Sequence, residues 1–180
     1  EKEIYERLGL QYIPPELREN RDEIEAAKKG LLPYLVTPED IKGLFHIHTH
    51  YSDGADSLEN MVKAVMRMGY EYIGISDHSQ SAYYANGLKV KDIERQQEEI
   101  ATLREKYPDI LILSGIESDI KPDGSLDYPD EVLNSFDFVI ASIHSHFNMT
   151  EKEMTKRILK AIAHPSITML GHPTGRLLLA

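Results

Sequence analysis

The chain has 180 residues, enough for one domain with a hydrophobic core and a short extension, and its 41% hydrophobic and 28% charged content is typical of a globular protein. It contains no cysteine, which excludes disulfides and thiolate metal sites, so any metal ion must be held by His, Asp or Glu. The net charge of −10 argues against a broad phosphate-binding surface. No apolar run could span a membrane and no signal peptide is visible, so we expect a cytoplasmic protein without a membrane partner.

Residues 1–42 differ in pattern from the remainder. The stretches "YIPPELREN" and "LLPYLVTPED" carry four prolines and no long periodic pattern. The stretch "ELRENRDEIEAAKKG", which begins within the first of these, predicts a short helix that ends at Gly30. We interpret this part as an extended lead-in or linker.

From residue 43 onward, strand and helix patterns alternate. The predicted strands are "GLFHIHTH", "YIGISDH", "ILILSGIE", "FDFVIASIHS" and "ITMLGHP". Capping boxes are expected at Asp56 and Glu59 before one helix, and at Thr150 and Glu153 before another. The strands are nearly continuous apolar runs, which favours a parallel sheet covered on both faces. The fold class is therefore α/β, built from right-handed β/α units.

Each predicted strand ends in a side chain that can bind a metal. These residues are His46 and His48 on the first strand, then His78, Glu117, His144 and His172 on the following four. The carboxyl ends of all strands of a β/α barrel lie on one face, where active sites are built. We therefore expect these residues to meet in one cup. Imidazoles and a carboxylate without sulfur suit Mn, Zn or Fe, and a glutamate among histidines can bridge two ions. General acid–base catalysis by one histidine would leave the others unexplained.

Several other polar residues remain open. We expect His50 to be a bystander, because a turn follows it at once, and His146 to be a substrate contact or a loop residue. Asp77 points away from His78 on an ideal strand, which favours a supporting or salt-bridge role, and Asp119 could support the site. Arg176 is either a phosphate contact or a member of a structural ion pair.

The motifs "HIHTHYSDG", "SDHS", "GIESDI", "SIHS" and "GHPTGR" together resemble the polymerase-and-histidinol-phosphatase (PHP) superfamily of metallophosphoesterases. Within it, "YIPPELREN", "LDYPDEVL" and "HPTGRLL" resemble the C-terminal PHP domain of bacterial family-X DNA polymerases. The resemblance implies a TIM-like, distorted (β/α)7 barrel that holds three divalent ions. It also implies the metal ligands, with Glu117 as a bridge: His46, His48, Asp53, His78, Glu117, His144 and His172.

The resemblance further implies manganese-dependent 3′–5′ exonuclease and DNA-end processing of the kind used in DNA repair, beside a polymerase module in cis. The hypothesis for the reaction is in-line attack on phosphorus by a metal-bound hydroxide, with Glu117, His144 and Arg176 in the catalytic site. One alternative is a small-molecule phosphatase of the histidinol-phosphatase type. Another is a catalytically inactive, metal-binding structural domain.

The family also has an Asp-x-His motif on its last strand, whereas this sequence stops at "GRLLLA". Two more β/α units would need on the order of 60 further residues. We therefore expect residues 1–42 to be a lead-in from a preceding polymerase module. Residues 43–180 would then be a PHP domain truncated after about five β/α units.

Overall fold

The computed structural model describes residues 1–173, so the predicted phosphate contact Arg176 lies outside the described residues. The chain divides into two compact units, Glu1–Ile41 and a second one that begins at Lys42. None of the helices in the described part of the chain is long and apolar enough to cross a membrane.

The first unit contains two short helices, α1 (Lys2–Arg7) and α2 (Glu23–Lys29), with 3-10 turns at Pro15–Leu17 and Pro38–Asp40. The helix predicted from residue 16 to Gly30 forms only in its second half. Asn20 and Asp22 have φ angles of 55° and 65°, in the left-handed region that interrupts a right-handed helix. Helix α2 ends at Gly30, as predicted, and this glycine has the left-handed conformation of a helix C-cap.

Up to residue 173, the second unit contains a five-stranded parallel sheet in which the strands follow one another in sequence order. The strands are β1 (Gly43–Ile47), β2 (Tyr72–Ile75), β3 (Leu111–Asp119), β4 (Phe138–Ser142) and β5 (Met169–Leu170). The connecting helices are α3 (Leu58–Arg67), α4 (Val90–Lys106), α5 (Asp130–Leu133) and α6 (Glu151–Ile162). This arrangement confirms the predicted α/β class and alternating β/α units.

The helices cover the outer face of the sheet. Ile73 and Ile75 of β2 are fully buried in one core cluster, together with Leu58 and Val62 of α3. Ile116 of β3 belongs to a second cluster that also includes residues of β4 and α6. Burial of these aliphatic side chains, at roughly 25 cal/mol per Å² of apolar surface, stabilises the helices on the sheet.

The inner face shows that the sheet is strongly curled. In a flat sheet the two outer strands would lie about 19 Å apart, given a spacing near 4.8 Å. Here the ring centroids of His46 in β1 and His172 after β5 are only 5.5 Å apart. Phe45 of β1 likewise contacts Phe138 of β4 edge to face, with centroids 5.0 Å apart. A side chain on Gly74 of β2 would collide with both phenylalanine rings, so this glycine makes the close packing possible.

Of the two predicted capping boxes, the one at α6 forms and the one at α3 does not. Thr150 and Glu153 form the expected capping box of α6. At α3 the prediction of Asp56 and Glu59 is wrong, because the N-cap is Ser57, whose hydroxyl accepts a hydrogen bond from the amide of Asn60. Glu59 instead contacts the side chain of Tyr107, which draws its carboxylate away from the helix terminus.

Candidate metal centre

The polar residues predicted at the strand ends meet around one carboxylate. Glu117 is fully buried in β3, the central strand, and five imidazoles surround its two oxygens. The distances from Oε1 are 3.0 Å to His46 Nε2, 3.2 Å to His144 Nε2 and 2.8 Å to His172 Nε2. Those from Oε2 are 3.3 Å to His48 Nε2 and 3.0 Å to His78 Nδ1. All five strands therefore contribute to one cup.

Backbone pairing fixes the centre of this cup. His78 and Glu117 form a parallel bridge just beyond the end of β2. The amide of Glu117 donates to the carbonyl of Asp77, and the amide of Ser79 donates to the carbonyl of Glu117. Because these bonds continue the β2–β3 register, the two side chains emerge next to each other on the same face.

The first strand reaches the cup by a route that simple alternation did not predict. His46 has a φ of 61°, and the pairing of β1 with β2 shifts register between Leu44 and Ile47. This irregularity and the positive φ re-aim the side chains at the end of the strand, as β-bulges do beside functional sites. The rings of His46 and His48 still end up side by side, with centroids 5.4 Å apart.

Asp53 joins the cup from the turn after β1. Its Oδ1 lies 2.9 Å from His48 Nδ1, and its Oδ2 lies 3.6 Å from His78 Nε2. Burial would raise the pKa of Asp53, but the hydrogen bond from His48 and the nearby imidazoles lower it overall. The residue is therefore ionised and faces two histidines.

The turn that carries Asp53 is held by a buried carboxylate. Asp77 accepts hydrogen bonds from the amide and hydroxyl of Thr49, at 2.7 and 2.8 Å, and from the hydroxyl of Ser52, at 2.6 Å. Gln96 of α4 donates to it as well, at 2.6 Å. The interpretation of Asp77 as a supporting residue thus agrees with its position, although its partners are uncharged donors. The sequence pattern did not predict that Thr49, Ser52 and Gln96 donate to Asp77.

Asp119 supports the opposite side of the cup. Its Oδ1 lies 2.6 Å from His144 Nδ1, so the other ring nitrogen of this histidine faces Glu117. Burial would lower the pKa of His144, but the two carboxylates outweigh it and raise the pKa to about 9. A carboxylate behind a histidine is the usual means of orienting a metal ligand.

His50 and His146 lie away from the cup. The amide of His50 donates to the carbonyl of Asp56, and the exposed His50 ring is near Tyr51. His146 is exposed, with Nδ1 3.1 Å from the hydroxyl of Ser145. Neither residue belongs to the groups of potential metal ligands found among residues 1–173.

The donor set fits divalent metal ions. Among the described residues, three overlapping groups each bring three ligand atoms within 4.8 Å of one another: His46, Glu117 and His172; His48, Asp53 and His78; and His78, Glu117 and His144. His78 Nδ1 and Glu117 Oε2 are buried and 3.0 Å apart, yet neither has a hydrogen-bond partner among these residues. A divalent cation bound by both atoms would satisfy these two electron-pair donors, and sulfur-free N/O ligands suit Mn, Zn or Fe.

Glu117 is ionised in the metal-free protein. Burial by itself would raise the pKa of its carboxyl group, but the imidazoles of His144, His46, His48 and His78 lower it far below its usual range. Glu117 is therefore an anion in a buried position, where an ion pair or a metal is required to compensate its charge.

A family comparison identifies the arrangement. The sequence model of the PHP domain family matches residues 45–180. The match covers most of the chain and includes every residue of the cup. The chain belongs to the PHP family. The resemblance inferred from the motifs is thereby confirmed, and so is the expectation of an α/β fold of PHP type.

The PHP domain has relatives of two kinds. The DNA polymerase/3′-5′ exonuclease PolX of Bacillus subtilis (strain 168) is 43% identical over 178 residues, which is 99% of this chain and 31% of that protein. A probable phosphatase of Caldanaerobacter subterraneus is 34% identical over 140 residues, 71% of this chain and 50% of that protein. The chain thus spans about a third to a half of the length of these relatives. A solved structure of histidinol phosphate phosphatase from Lactococcus lactis, complexed with zinc, L-histidinol and phosphate, aligns with 59% of this chain and 41% of that one, with 21% identity and a TM-score of 0.44.

Proposed function

We propose that this PHP domain is a metal-dependent phosphoesterase that removes nucleotides from the 3′ end of DNA, and that it acts beside a polymerase module in the full-length protein. The observation that carries the proposal is the convergence of five imidazoles on the buried carboxylate of Glu117. A structural ion pair needs one partner for a carboxylate, whereas a multinuclear metal centre needs a bridge with several ligands on each side.

The ligands would fall into the three groups described above, with Glu117 and His78 each in two of them. Divalent cations bound there would supply Lewis-acid charge for the phosphate oxygens and would lower the pKa of a bound water. The protein's own contribution is to hold the ligands rigidly. Asp53 and His48 fix each other, and Asp119 orients His144.

Arg176 remains a prediction as a phosphate contact. It follows His172 by four residues, and a guanidinium can bind two phosphate oxygens at once. In the proposed reaction Arg176 would neutralise the scissile phosphate, while Glu117 and His144 hold the centre that activates the attacking water.

The alignment with PolX supports DNA as the substrate. It covers 99% of the chain and therefore includes the first unit, Glu1–Ile41, which precedes the family match at residue 45. The alignments with the probable phosphatases of Caldanaerobacter subterraneus and Clostridium acetobutylicum cover 71% and 73% of the chain. The second candidate function, a small-molecule phosphatase, is favoured by the 34% identity to the first of these proteins.

The decisive experiment compares substrates in the full-length protein loaded with Mn²⁺. A 5′-labelled oligonucleotide with a 3′-hydroxyl, the same oligonucleotide with a 3′-phosphate, and histidinol phosphate are incubated separately. We expect stepwise shortening of the DNA from its 3′ end, and loss of this activity in Glu117→Gln but not in the exposed control Glu98→Gln. Turnover of histidinol phosphate alone would favour the second candidate. Absence of all turnover, with bound metal verified by elemental analysis, would contradict both.

A further inference from the structure

Two adjacent tyrosines lie exposed, and one of them contacts the cup. Tyr83 and Tyr84 occupy the 3-10 turn Tyr83–Ala85 in the connection between β2 and α4. Tyr83 is 87% exposed and Tyr84 is 69% exposed. Tyrosine offers a large, rigid apolar face at a low cost in side-chain entropy, which makes it a frequent contact residue for ligands.

Tyr84 stands directly beside the candidate metal ligands. Its ring centroid lies 6.0 Å from that of His78 and 6.4 Å from that of His144. Both contacts are edge-to-face, with interplanar angles of 65° and 79°. A group attached to a phosphate in the cup would therefore lie next to this tyrosine ring.

Hydrogen bonds to Asp127 and Tyr128 hold the segment that carries the tyrosines, residues 79–88. The carboxylate of Asp127 accepts hydrogen bonds from the hydroxyl of Ser79, at 2.7 Å, and from the amide of Ser81, at 2.9 Å. The hydroxyl of Tyr128 accepts from the amide of Gln80 and donates to the carbonyl of Leu88. Because both ends of the segment are fixed, its backbone loses little entropy when a ligand binds.

A cavity of about 780 Å³ lies beside the turn, lined by Tyr83, Asn86, Lys89 and Lys121 among others. Among residues 1–173, neither lysine ammonium forms an ion pair with a carboxylate. The two carboxylates that line the same cavity accept hydrogen bonds from hydroxyl and amide groups rather than from these ammonium groups. Asp127 binds Ser79, Ser81 and Ser118, and Asp92 accepts from the amide of Lys89. Two ammonium groups are thus available for an anion.

We infer that Tyr83 and Tyr84 are a base-stacking platform for the terminal nucleotides of a DNA strand, and that Lys89 and Lys121 bind a neighbouring phosphate of that strand. This inference rests on the proposed function and names the residues that select its substrate. A small phosphate monoester would need only the metal centre. Successive aromatic rings next to a pair of ammonium groups match the alternation of bases and phosphates in a single strand, where stacking accepts any base.

The test uses the full-length protein with Mn²⁺ and two 5′-labelled oligonucleotides, one with a normal 3′-terminal nucleotide and one with an abasic tetrahydrofuran residue in that position. We expect the wild-type protein to prefer the base-bearing strand by about tenfold or more in kcat/KM. Tyr84→Ala should lower kcat/KM for that strand by about tenfold to a hundredfold and leave the abasic strand within about twofold. Tyr84→Phe should retain the wild-type preference, since the ring supplies the stacking surface. The matched control is Tyr34→Ala, another exposed tyrosine.

The lysines are tested through salt. Replacing Lys89 and Lys121 together by Ala should weaken DNA use and reduce the slope of log kcat/KM against log salt concentration by about one per lysine. Equal use of both strands by the wild-type protein, or an equal loss on both strands in Tyr84→Ala, would overturn the platform while leaving phosphoesterase activity intact. If the wild-type protein cleaves neither strand although its metals are bound, the proposed function fails first and the platform with it.

Discussion

His78 Nδ1 and Glu117 Oε2 lie 3.0 Å apart in a buried position, and neither atom has a hydrogen-bond partner among the described residues. The facing electron pairs of these atoms repel each other unless the two atoms share a proton or bind the same cation. The first prediction follows from it.

Replacing Glu117 with Ala should remove more than one metal ion per protein, because this carboxylate belongs to two of the three ligand groups. Elemental analysis of protein prepared in the presence of Mn²⁺ or Zn²⁺ measures the change. Glu98→Ala, on the exposed side of α4, is the matched control and should keep the wild-type metal content. An unchanged metal content in Glu117→Ala would refute the bridging role.

Asp119→Asn should weaken metal binding by about tenfold to a hundredfold, because Asp119 orients His144 at 2.6 Å. Isothermal titration with Zn²⁺ at a fixed pH measures the change. Retention of wild-type affinity would show that His144 needs no orienting partner.

The pH dependence of metal binding has a defined sign. Metal binds the neutral imidazole, so the affinity of the wild-type protein should rise with pH until His144 loses its proton near its raised pKa of about 9. In Asp119→Asn this rise should end at a lower pH. In the metal-free protein, protonated His144 stabilises the fold fully below its ordinary pKa of 6.5, and this contribution is lost as the pH rises through about 9.

Asp77→Asn should destabilise the domain by about 2 kcal/mol, because an amide nitrogen would replace one of two oxygens that accept buried hydrogen bonds. Oδ1 accepts from Thr49 and Ser52, and Oδ2 accepts from Thr49 and Gln96. The turn that carries Asp53 should also loosen and lower metal affinity. Urea denaturation measures the first effect and titration the second. Asp109→Asn, an exposed substitution of the same type, should change neither quantity.

Arg157→Met should reduce the free energy of unfolding by about 3 kcal/mol. The guanidinium of Arg157 on α6 is buried and donates to the carbonyls of Ile120, Lys121, Ser145 and His146, which lie after β3 and β4. Without it these carbonyls lose their donors. Denaturation curves of Arg157→Met and of the exposed neighbour Lys156→Met give the comparison, and equal stabilities would contradict this role.

The sequence by itself determined the α/β class and the set of residues that meet in the cup. Hydrophobic strand patterns recur at the spacing of β/α units, and parallel strands direct their carboxyl ends to one edge. Polar residues at five successive strand ends, such as His78, Glu117 and His144, therefore had to approach one another.

The tertiary structure decided the details that depend on contacts distant in sequence. The bulge at His46 arises from the pairing of β1 with β2. The hydrogen bonds to Asp77 join residues up to 28 positions apart. Arg157 was not predicted, because a single arginine on an amphipathic helix gives no sign of which carbonyls it will meet. Local patterns fix periodicity and strand order, whereas hydrogen bonds between loops depend on how far the sheet curls, and that follows only from the packing of the whole unit.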